Sequence, residues 1–323
     1  MFPISHSILD AGALAREAAT RYDIPAPAHC ELVSRGTNDI YELHTAGARF
    51  SIRVARANWR TDENLAHQHA LAIHLAAHAI PVAAPLRAHD GSTIFRVEAP
   101  EGTRPIALFP WLSGVVLAEV LDEDRATTFG ALVGRMHEAV GSFRPDWAHP
   151  IDDIGVIRGR LAPLQDMIAH RNGEAAFYEN IDSATAETLA NIDGAQVARG
   201  FIHGDVHLEN AIVSDDGTIA LIDFDNCGED FLAKELASFT WRNTYIGLSE
   251  SVNEAFRVGY ENIRPLSPEE AQLAPLFELM RNLFILTGHA ANVNKAGRTV
   301  GIVHDLDTFV GLTRRYAGAA GLL

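Results

Sequence analysis

The chain has 323 residues, 47% hydrophobic and 21% charged, which is the composition of an ordinary soluble globular protein. This length is long for one hydrophobic core and fits two modest lobes. The 42 acidic residues exceed the 26 Lys and Arg residues, for a net charge of −16, which argues against non-specific binding to nucleic acid.

The N-terminal segment, MFPISHSILDAG, lacks the basic region and the long apolar run of a secretory signal. The sequence has no uninterrupted run of about 18 apolar residues, so we expect no membrane span. Cys30 and Cys227 lie far apart and form no CxxC motif, which suggests reduced thiols. These features together predict a cytoplasmic protein with no membrane partner.

In chain order, the N-terminal part is predicted to form a small sheet with helices at 5–22 and 62–79. The strand-like segments, rich in β-branched and apolar residues, are 31–34, 40–44, 50–55, 86–88, 93–97 and 105–109. A cluster of Pro, Trp, Ser and Gly at 110–114 predicts a hinge. We therefore expect an N-terminal lobe at 1–109 and a mostly helical lobe at 115–323, which contains one hairpin.

The turn at 35–39 carries Gly36, Thr37 and Asn38, whose backbone N–H groups could contact phosphate oxygens. Such a turn is a weak signal by itself, because a single glycine in a turn is usually structural. The sequence contains no GxxxxGK[ST] motif, which excludes the Walker A mechanism. A nucleotide site in this lobe would therefore need further support from neighbouring strands.

Arg53 is a cation in the middle of the apolar strand FSIRVA. Strand alternation places Ser51, Arg53 and Ala55 on one face, where a cation is functional if that face lines a cleft. Gln68 lies on an otherwise apolar stripe of the following helix and should have a partner. We expect that partner to be Arg53, which can also bind phosphates bidentately.

Residues 203–225, HGDVHLENAIVSDDGTIALIDFD, contain two strand-like segments joined by a turn. If Asp216 and Gly217 form a two-residue turn, Asn210 lies opposite Asp223, and a different turn length shifts this pairing by about one residue. In either case an amide and a carboxylate meet at one end of the ribbon, where they can bind a hard cation such as Mg²⁺.

Asp205 precedes this hairpin in a loop without helix or strand periodicity. A carboxylate that accepts a hydroxyl proton, followed by an amide and a carboxylate that hold magnesium, is the set required for phosphoryl transfer. The alternative is an acidic surface hairpin in which Asp205 caps a helix. The joint occurrence of His203, Asp205, Asn210 and Asp223 disfavours that alternative.

The motifs HGDVHLEN at 203–210 and LIDFD at 221–225 resemble the signature of the aminoglycoside phosphotransferase and choline kinase superfamily. The resemblance covers about residues 31–230 and is nearest to the stress-response-kinase-like and homoserine-kinase-like branch. The supporting phrases, in the same order along the chain, are RGTND (35–39), FSIRVAR (50–56), AIPVAAPL (79–86), APEGTRPIALFPWLSG (99–114) and GRMHEAV (134–140).

This resemblance implies a bilobal, protein-kinase-like α+β fold and transfer of a phosphoryl group from ATP, or alternatively GTP, with Mg²⁺. It implies that Asp205 is the catalytic base, supported by His203, and that Asn210, Asp223 and Asp225 form the metal site. The residues implied or predicted to bind the nucleotide are Gly36, Thr37, Asn38, Arg53, Gln68, Phe109, Trp111 and Leu112.

Two departures from the superfamily's pattern concern nucleotide binding. Arg53 stands where Lys is most frequent, and Gln68 stands where Glu is usual, with Glu63 as a fallback partner. Arginine needs no counter-ion to stay protonated, because its pKa exceeds about 12. We therefore interpret the pair as altered rather than lost.

The acceptor is predicted to be a small molecule with a hydroxyl group, and the protein to be a monomer or homodimer. Trp241 and Tyr245 lie four residues apart on a predicted helix, and an aromatic and acidic wall would suit a cationic acceptor. Core packing explains the aromatic pair equally well. Amino alcohols, hydroxy amino acids, aminoglycosides, other antibiotics and protein Ser/Thr side chains all stay open. The candidate lining residues are His207, Asp230, Glu235, Trp241, Arg242, Tyr245 and Arg281.

Two other classes of function are compatible with parts of the sequence. A metallohydrolase could use His203, Asp205, His207, Asp223 and Asp225, with His74 and His78 as additional ligands. That class leaves the motifs of the N-terminal lobe unexplained. An inactive, ligand-binding kinase homologue is suggested by Gln68, but the catalytic set is complete.

Overall fold

A computed structural model of the protein describes residues 2, 4–296 and 302–323. The strands are β1 (Pro27–Arg35), β2 (Asn38–Thr45), β3 (Arg49–Ala55), β4 (Phe95–Ala99), β5 (Gly102–Pro110), β6 (Val115–Val116), β7 (Arg199–Ile202), β8 (Ala211–Val213), β9 (Ile219–Leu221) and β10 (Gly228–Phe231). The helices are α1 (Ala11–Arg21), α2 (Asp62–Ala77), α3 (Glu123–Val140), α4 (Asp153–Gly159), α5 (Leu161–Ile168), α6 (Glu174–Ala190), α7 (Lys234–Tyr245), α8 (Glu250–Glu261), α9 (Pro268–Gln272), α10 (Ala274–Ala296) and α11 (Ile302–Ala319). The predicted α+β architecture, with an N-terminal sheet and a helical C-terminal part, is confirmed.

The chain forms two compact units, each assembled from two segments. The first unit comprises Met1–Val120 and Glu209–Asp225, and the second comprises Leu121–Leu208 and Asn226–Leu323. The hairpin β8–β9, which we placed in the C-terminal lobe, therefore groups with the first unit. The reason is pairing: β8 is hydrogen-bonded to β6, and Leu221 bridges Val82. The hinge at 110–114 stays a prediction.

The first unit contains an antiparallel sheet with strand order β1-β2-β3-β5-β4. Alternate residues, including Tyr41 and Ile52, point to a core shared with α1 and are fully buried. Burial of these side chains stabilises the sheet, at roughly 25 cal/mol per Å² of apolar surface. Ile40, Ser51 and Arg53 lie on the opposite face and line a cavity, as strand alternation predicted.

Several predicted elements differ from the structure in extent or kind, and three of them are informative. Helix α1 begins at Ala11 rather than at residue 5, because Asp10 caps it by accepting a hydrogen bond from the Ala13 amide (2.7 Å). The strand predicted at 93–97 lies at Phe95–Ala99. The strand predicted at 86–88 is absent from the assigned strands of the described residues. There Leu86 donates one backbone bond to Leu108 (2.8 Å), which is too little for a ladder.

Arg104 on β5 is a fully buried cation in the first unit. Its guanidinium donates to Asp39, which is also fully buried, at 2.9 Å, and to the carbonyl oxygen of Ala55 at 2.6 Å. It also donates to the Ser7 carbonyl oxygen (3.0 Å) and to Glu101 (3.2 Å). One side chain therefore connects β5 with β2, β3 and the N-terminal segment.

The second unit is built mainly from helices packed around Trp241, Leu283 and Phe309. Helices α3 and α8 approach closely through Gly130 and Gly259, where an added Cβ would lie 1.9 Å from a carbonyl oxygen of the facing helix. Strands β7 and β10 pair antiparallel, and β7 leads into the loop that carries Asp205. Among the described helices, none combines the length and apolar character needed to span a membrane.

Candidate active site

The hairpin between β8 and β9 has a three-residue turn, which is the longer of the turn lengths that the sequence left open. Val213 pairs with Ile219, and Gly217 donates to the Ser214 carbonyl oxygen (2.9 Å) with a φ of 84°. Asp216 accepts a hydrogen bond from the Thr218 amide (3.0 Å). A type I turn followed by a left-handed glycine is a common three-residue hairpin.

This turn shifts the register of the hairpin by one residue. The Ile222 amide donates to the carbonyl oxygen of Asn210 (3.0 Å), so Asn210 lies opposite Ile222 rather than Asp223. Asp223 follows directly, with a φ of 66° in the left-handed region that Asp tolerates better than most residues. The amide and the carboxylate still belong to the same end of the hairpin.

Arg53 contacts both carboxylates that follow β9. Its Nη2 donates to Asp223 Oδ1 at 3.1 Å and forms an ion pair with Asp225 Oδ1. Asn38 donates to the second oxygen of Asp225 (2.8 Å). Burial by itself would lower the pKa of Arg53, but the two carboxylates outweigh it and raise that pKa above its ordinary value.

The predicted Arg53–Gln68 pair is not formed, because full negative charges are stronger partners for a guanidinium than an amide oxygen. Gln68 is buried on α2 and instead donates to the backbone oxygen of Asp225 (3.4 Å). Glu63, the fallback partner, is exposed near the start of α2. Gln68 and Arg53 nonetheless both contact Asp225.

A cavity of about 370 Å³ in the first unit brings together every residue predicted to bind the nucleotide. This volume lies within the range of small-molecule sites, roughly 300–1,000 Å³. The predicted residues that line it are Gly36, Thr37, Asn38, Arg53, Gln68, Phe109, Trp111 and Leu112, and Asp223 lines it as well.

His69 also lines this cavity and was missed from the sequence, where it is only the neighbour of Gln68. Its ring packs edge-on against Phe109, with centroids 5.6 Å apart, and its Nδ1 lies 2.8 Å from the Thr93 hydroxyl. Burial, together with the charge of Arg53, lowers the pKa of His69 to about 4. This imidazole is therefore neutral at physiological pH.

The oxygen donors at the hairpin end suit a hard divalent cation. Asn210 offers an amide oxygen, and Asp223 and Asp225 offer carboxylates, which are the ligand types that Mg²⁺ prefers. The guanidinium of Arg53 shows that this pair of carboxylates attracts a cation. These residues therefore fit the metal that the sequence predicts.

The loop containing Asp205 is held within the second unit by Glu235. The fully buried Glu235 carboxylate accepts hydrogen bonds from the backbone amides of His203 and Gly204, the latter at 3.0 Å. Gly204 has a φ of 77°, and a Cβ there would lie 2.1 Å from the Asn226 carbonyl oxygen. We expected Glu235 to contact the acceptor; its burial gives it a structural role instead.

Asp205 is surrounded by donors from its own unit. Its Oδ2 accepts from Asn226 (3.2 Å), and its Oδ1 forms an ion pair with Arg281 and lies 3.5 Å from His207 Nε2. Burial by itself would raise the pKa of Asp205, but Arg281, His207 and His203 outweigh it and hold that pKa below its ordinary range. Asp205 is therefore an ionised carboxylate at neutral pH.

Three other candidate acceptor residues are engaged in internal contacts. Asp230 is buried and paired with Lys234, which also binds Asp153 (2.7 Å). Trp241 is buried in the helical core and donates to Asn282 (2.9 Å). Tyr245 stacks on Trp241, with ring centroids 5.4 Å apart, and donates to an acidic side chain of α11. These contacts do not support acceptor roles for Asp230 and Trp241.

His207, Arg242 and Arg281 are the other candidates for the acceptor site. His207 and Arg281 lie beside Asp205, whereas the Arg242 guanidinium lies 5.9 Å from the Tyr245 ring centroid.

The His and carboxylate side chains assigned to a metallohydrolase are not the group whose ligand atoms lie close enough together to share one metal ion. Within the described residues, the one group of three or more His, Cys, Asp and Glu side chains with ligand atoms all within 4.8 Å of one another is Glu31, Glu42 and His44. His74, in the last turn of α2, contacts His78, the residue that follows the helix, with ring centroids 4.1 Å apart.

The chain matches a known protein family over most of its length. The model of the phosphotransferase enzyme family (APH) matches residues 29–276, and the chain belongs to this family. The chain is 30% identical over 268 residues to an uncharacterized protein of Synechocystis sp., covering 82% of this chain and 74% of that protein. It is 28% identical over 260 residues to a homoserine kinase of Neisseria meningitidis serogroup B, covering 79% and 80%.

Two solved structures share the fold at low sequence identity. The amicoumacin kinase hAmiN, in complex with AMP-PNP, Ca²⁺ and Ami, has a TM-score of 0.75 at 15% identity, covering 96% of this chain and 94% of that chain. A microcompartment-associated aminopropanol kinase has a TM-score of 0.67 at 19% identity, covering 97% and 99%. These likenesses confirm the kinase-like fold.

Proposed function

We propose that the protein transfers the γ-phosphoryl group of ATP to a hydroxyl group of a small molecule. The observation that carries this proposal is the cavity of the first unit, which assembles all the predicted nucleotide-binding side chains beside Asp223. Membership of a phosphotransferase family supports the same reaction. A metallohydrolase would leave this cavity without a role.

In this proposal the nucleotide phosphates bind at the β1–β2 turn and at Arg53. The Gly36 amide already donates to the Asn38 carbonyl oxygen (3.0 Å), so the backbone N–H groups of residues 37 and 38 would contact phosphate oxygens. Arg53 would exchange its carboxylate partners for the phosphates. Asn210, Asp223 and Asp225 would hold a divalent ion, Mg²⁺ in our proposal, whose charge neutralises the phosphates. Release of these carboxylates from Arg53 makes them available as ligands.

Asp205 acts as the general base in the same proposal. Its ionised carboxylate orients the acceptor hydroxyl and accepts its proton as the new O–P bond forms. The bond between the γ-phosphorus and the bridging oxygen breaks, and ADP leaves. The depressed pKa of Asp205 makes it a weak base, which fits late proton transfer, after the phosphoryl group has begun to move.

The acceptor class that we favour is a small hydroxylated amine or amino acid. The homoserine kinases among the relatives support a hydroxy amino acid, and the fold is shared with an aminopropanol kinase and an amicoumacin kinase. A protein Ser/Thr acceptor is the second candidate from the sequence, and no feature of the described residues favours it.

The direct test is a thermal-shift titration with ATP and GTP, each with and without Mg²⁺, followed by an ADP-release screen. The acceptors would be amino alcohols, hydroxy amino acids, aminoglycosides and a generic protein substrate. We expect Mg²⁺-dependent stabilisation and release of ADP that depends on a small acceptor. Hydrolysis of phosphate esters without nucleotide would contradict the proposal.

We expect Asp223→Ala to weaken Mg·ATP binding by at least about tenfold, the lower end of the loss when a metal site loses a partner group. The variant removes one proposed metal ligand and one counter-ion of Arg53. The measurement is calorimetric titration of nucleotide with Mg²⁺. Asp215→Ala, an exposed change in the same hairpin turn, should bind as the wild type does. Unchanged affinity in Asp223→Ala would contradict the metal assignment.

A further inference from the structure

We propose that Arg281 binds a carboxylate group of the acceptor, so that the acceptor is a hydroxy amino acid rather than an amino alcohol. This inference rests on the proposed phosphotransferase function and concerns the same site. The residues on which it rests all belong to the second unit.

Arg281 is held rigidly next to the proposed base. Its Nη2 forms an ion pair with Asp205 Oδ1, and its side chain is 11% exposed. Its guanidinium lies 5.9 Å from the Trp241 ring centroid, and Trp241 is itself held by its hydrogen bond to Asn282 (2.9 Å). A guanidinium held between a carboxylate and an indole is preorganised for a planar anion.

The guanidinium of Arg281 has unused capacity to donate hydrogen bonds. Its Nε is buried and has no hydrogen-bond partner among the described residues. A buried hydrogen-bond donor without a partner destabilises the folded protein. The unpartnered Nε therefore suggests that a bound ligand supplies the hydrogen-bond acceptor. A guanidinium offers five N–H donors and pairs with carboxylates through two parallel hydrogen bonds. A substrate carboxylate would satisfy Nε while leaving a donor for Asp205.

The charges near Asp205 also favour an anionic substituent. The acidic residues predicted to attract a cationic acceptor are occupied, since Asp230 is paired with Lys234 and Glu235 binds backbone amides. The basic side chains beside Asp205 are Arg281 and His207. An ammonium group placed here would face a fixed guanidinium, whereas a carboxylate would be attracted to it. The acidic side chains that would bind a cationic acceptor are therefore engaged within the protein.

Matched acceptor pairs that differ only by a carboxylate test this inference. The pairs are homoserine with 3-aminopropan-1-ol, threonine with 1-aminopropan-2-ol, and serine with 2-aminoethanol. For the best pair, we expect wild-type kcat/KM to be about 10- to 100-fold higher for the amino acid, the range that charge-assisted hydrogen bonds supply. Arg281→Gln should abolish this preference, mainly by raising KM for the amino acid, and Arg281→Lys should restore part of it.

The control variant is Arg257→Gln, which removes an arginine from an exposed ion-pair cluster with Glu254 and Glu261 on α8. It should keep the wild-type preference. Equal loss of kcat/KM for both members of a pair in Arg281→Gln would mean a purely structural role and would overturn the inference. The inference would also be overturned if turnover were confined to acceptors without a carboxylate. It would equally be overturned if the protein bound nucleotide but turned over no carboxylate-bearing acceptor. Absence of Mg·nucleotide binding would instead refute the proposed function.

Discussion

Replacing Asp205 by Ala is expected to lower kcat by about 10²- to 10⁴-fold, the usual contribution of a general base. Asp205 belongs to the second unit, whereas the cavity with the predicted nucleotide contacts belongs to the first. Mg·ATP binding should therefore change little. The measurements are steady-state ADP release with the best acceptor and a nucleotide-dependent thermal shift.

The comparison that decides this prediction is between Asp205→Ala and Asp223→Ala. The first variant should lose turnover and the second should lose nucleotide affinity. Asp205→Asn serves as a control of similar shape, because it can still accept a hydrogen bond from Asn226 but cannot accept a proton. Equal loss of nucleotide binding in the two alanine variants would refute this division of roles.

The pH profile provides a separate prediction for the same carboxylate. The pKa of Asp205 lies below its ordinary value of about 3.9, so its active, ionised form persists from neutral pH down to at least about pH 4. We expect no acid limb from Asp205 in kcat/KM between about pH 5 and 8. Arg281→Gln removes a cation that lowers this pKa, so the acid limb should move to higher pH. If the acid limb of Arg281→Gln stayed at the same pH as that of the wild type, the ion pair between Arg281 and Asp205 would be contradicted.

Replacing Arg104 by Met is expected to lower the free energy of unfolding by about 3–5 kcal/mol, the usual effect of breaking a buried ion pair from one side. The substitution takes from the buried Asp39 carboxylate the guanidinium nearest to it, leaving His6 (3.1 Å) and Arg35 (3.7 Å) as basic neighbours, and removes hydrogen bonds to the Ala55 and Ser7 carbonyl oxygens. Urea unfolding followed by circular dichroism would measure the change.

Arg96→Met is the matched control for this stability prediction. Arg96 is on the neighbouring strand β4, and its ion pair with Asp62 is exposed. Exposed pairs contribute only about 0–1 kcal/mol, so this variant should unfold almost as the wild type does. If Arg104→Met lowered the free energy of unfolding as little as Arg96→Met does, solvent or another group would have to balance the charge of Asp39. The structural role assigned to Arg104 would then be incorrect.

Local sequence patterns determined most of the small sheet and the position of Arg53 on its cavity face, and together with the family resemblance they predicted eight of the residues that line that cavity. Strand alternation is a property of neighbouring residues, and the spacing from His203 to Asp225 is encoded in one contiguous segment. The sequence left the hairpin register open by one residue, and hydrogen bonds of the Asp216 side chain favour the three-residue turn that the structure contains.

Only the tertiary structure decided which distant groups meet. Arg53 contacts Asp223 across 170 residues of sequence, and Arg281 contacts Asp205 across 76. The same applies to Glu235, whose carboxylate faces backbone amides because helix packing buries it. Burial and long-range ion pairing depend on how helices and strands pack, and no local periodicity encodes them.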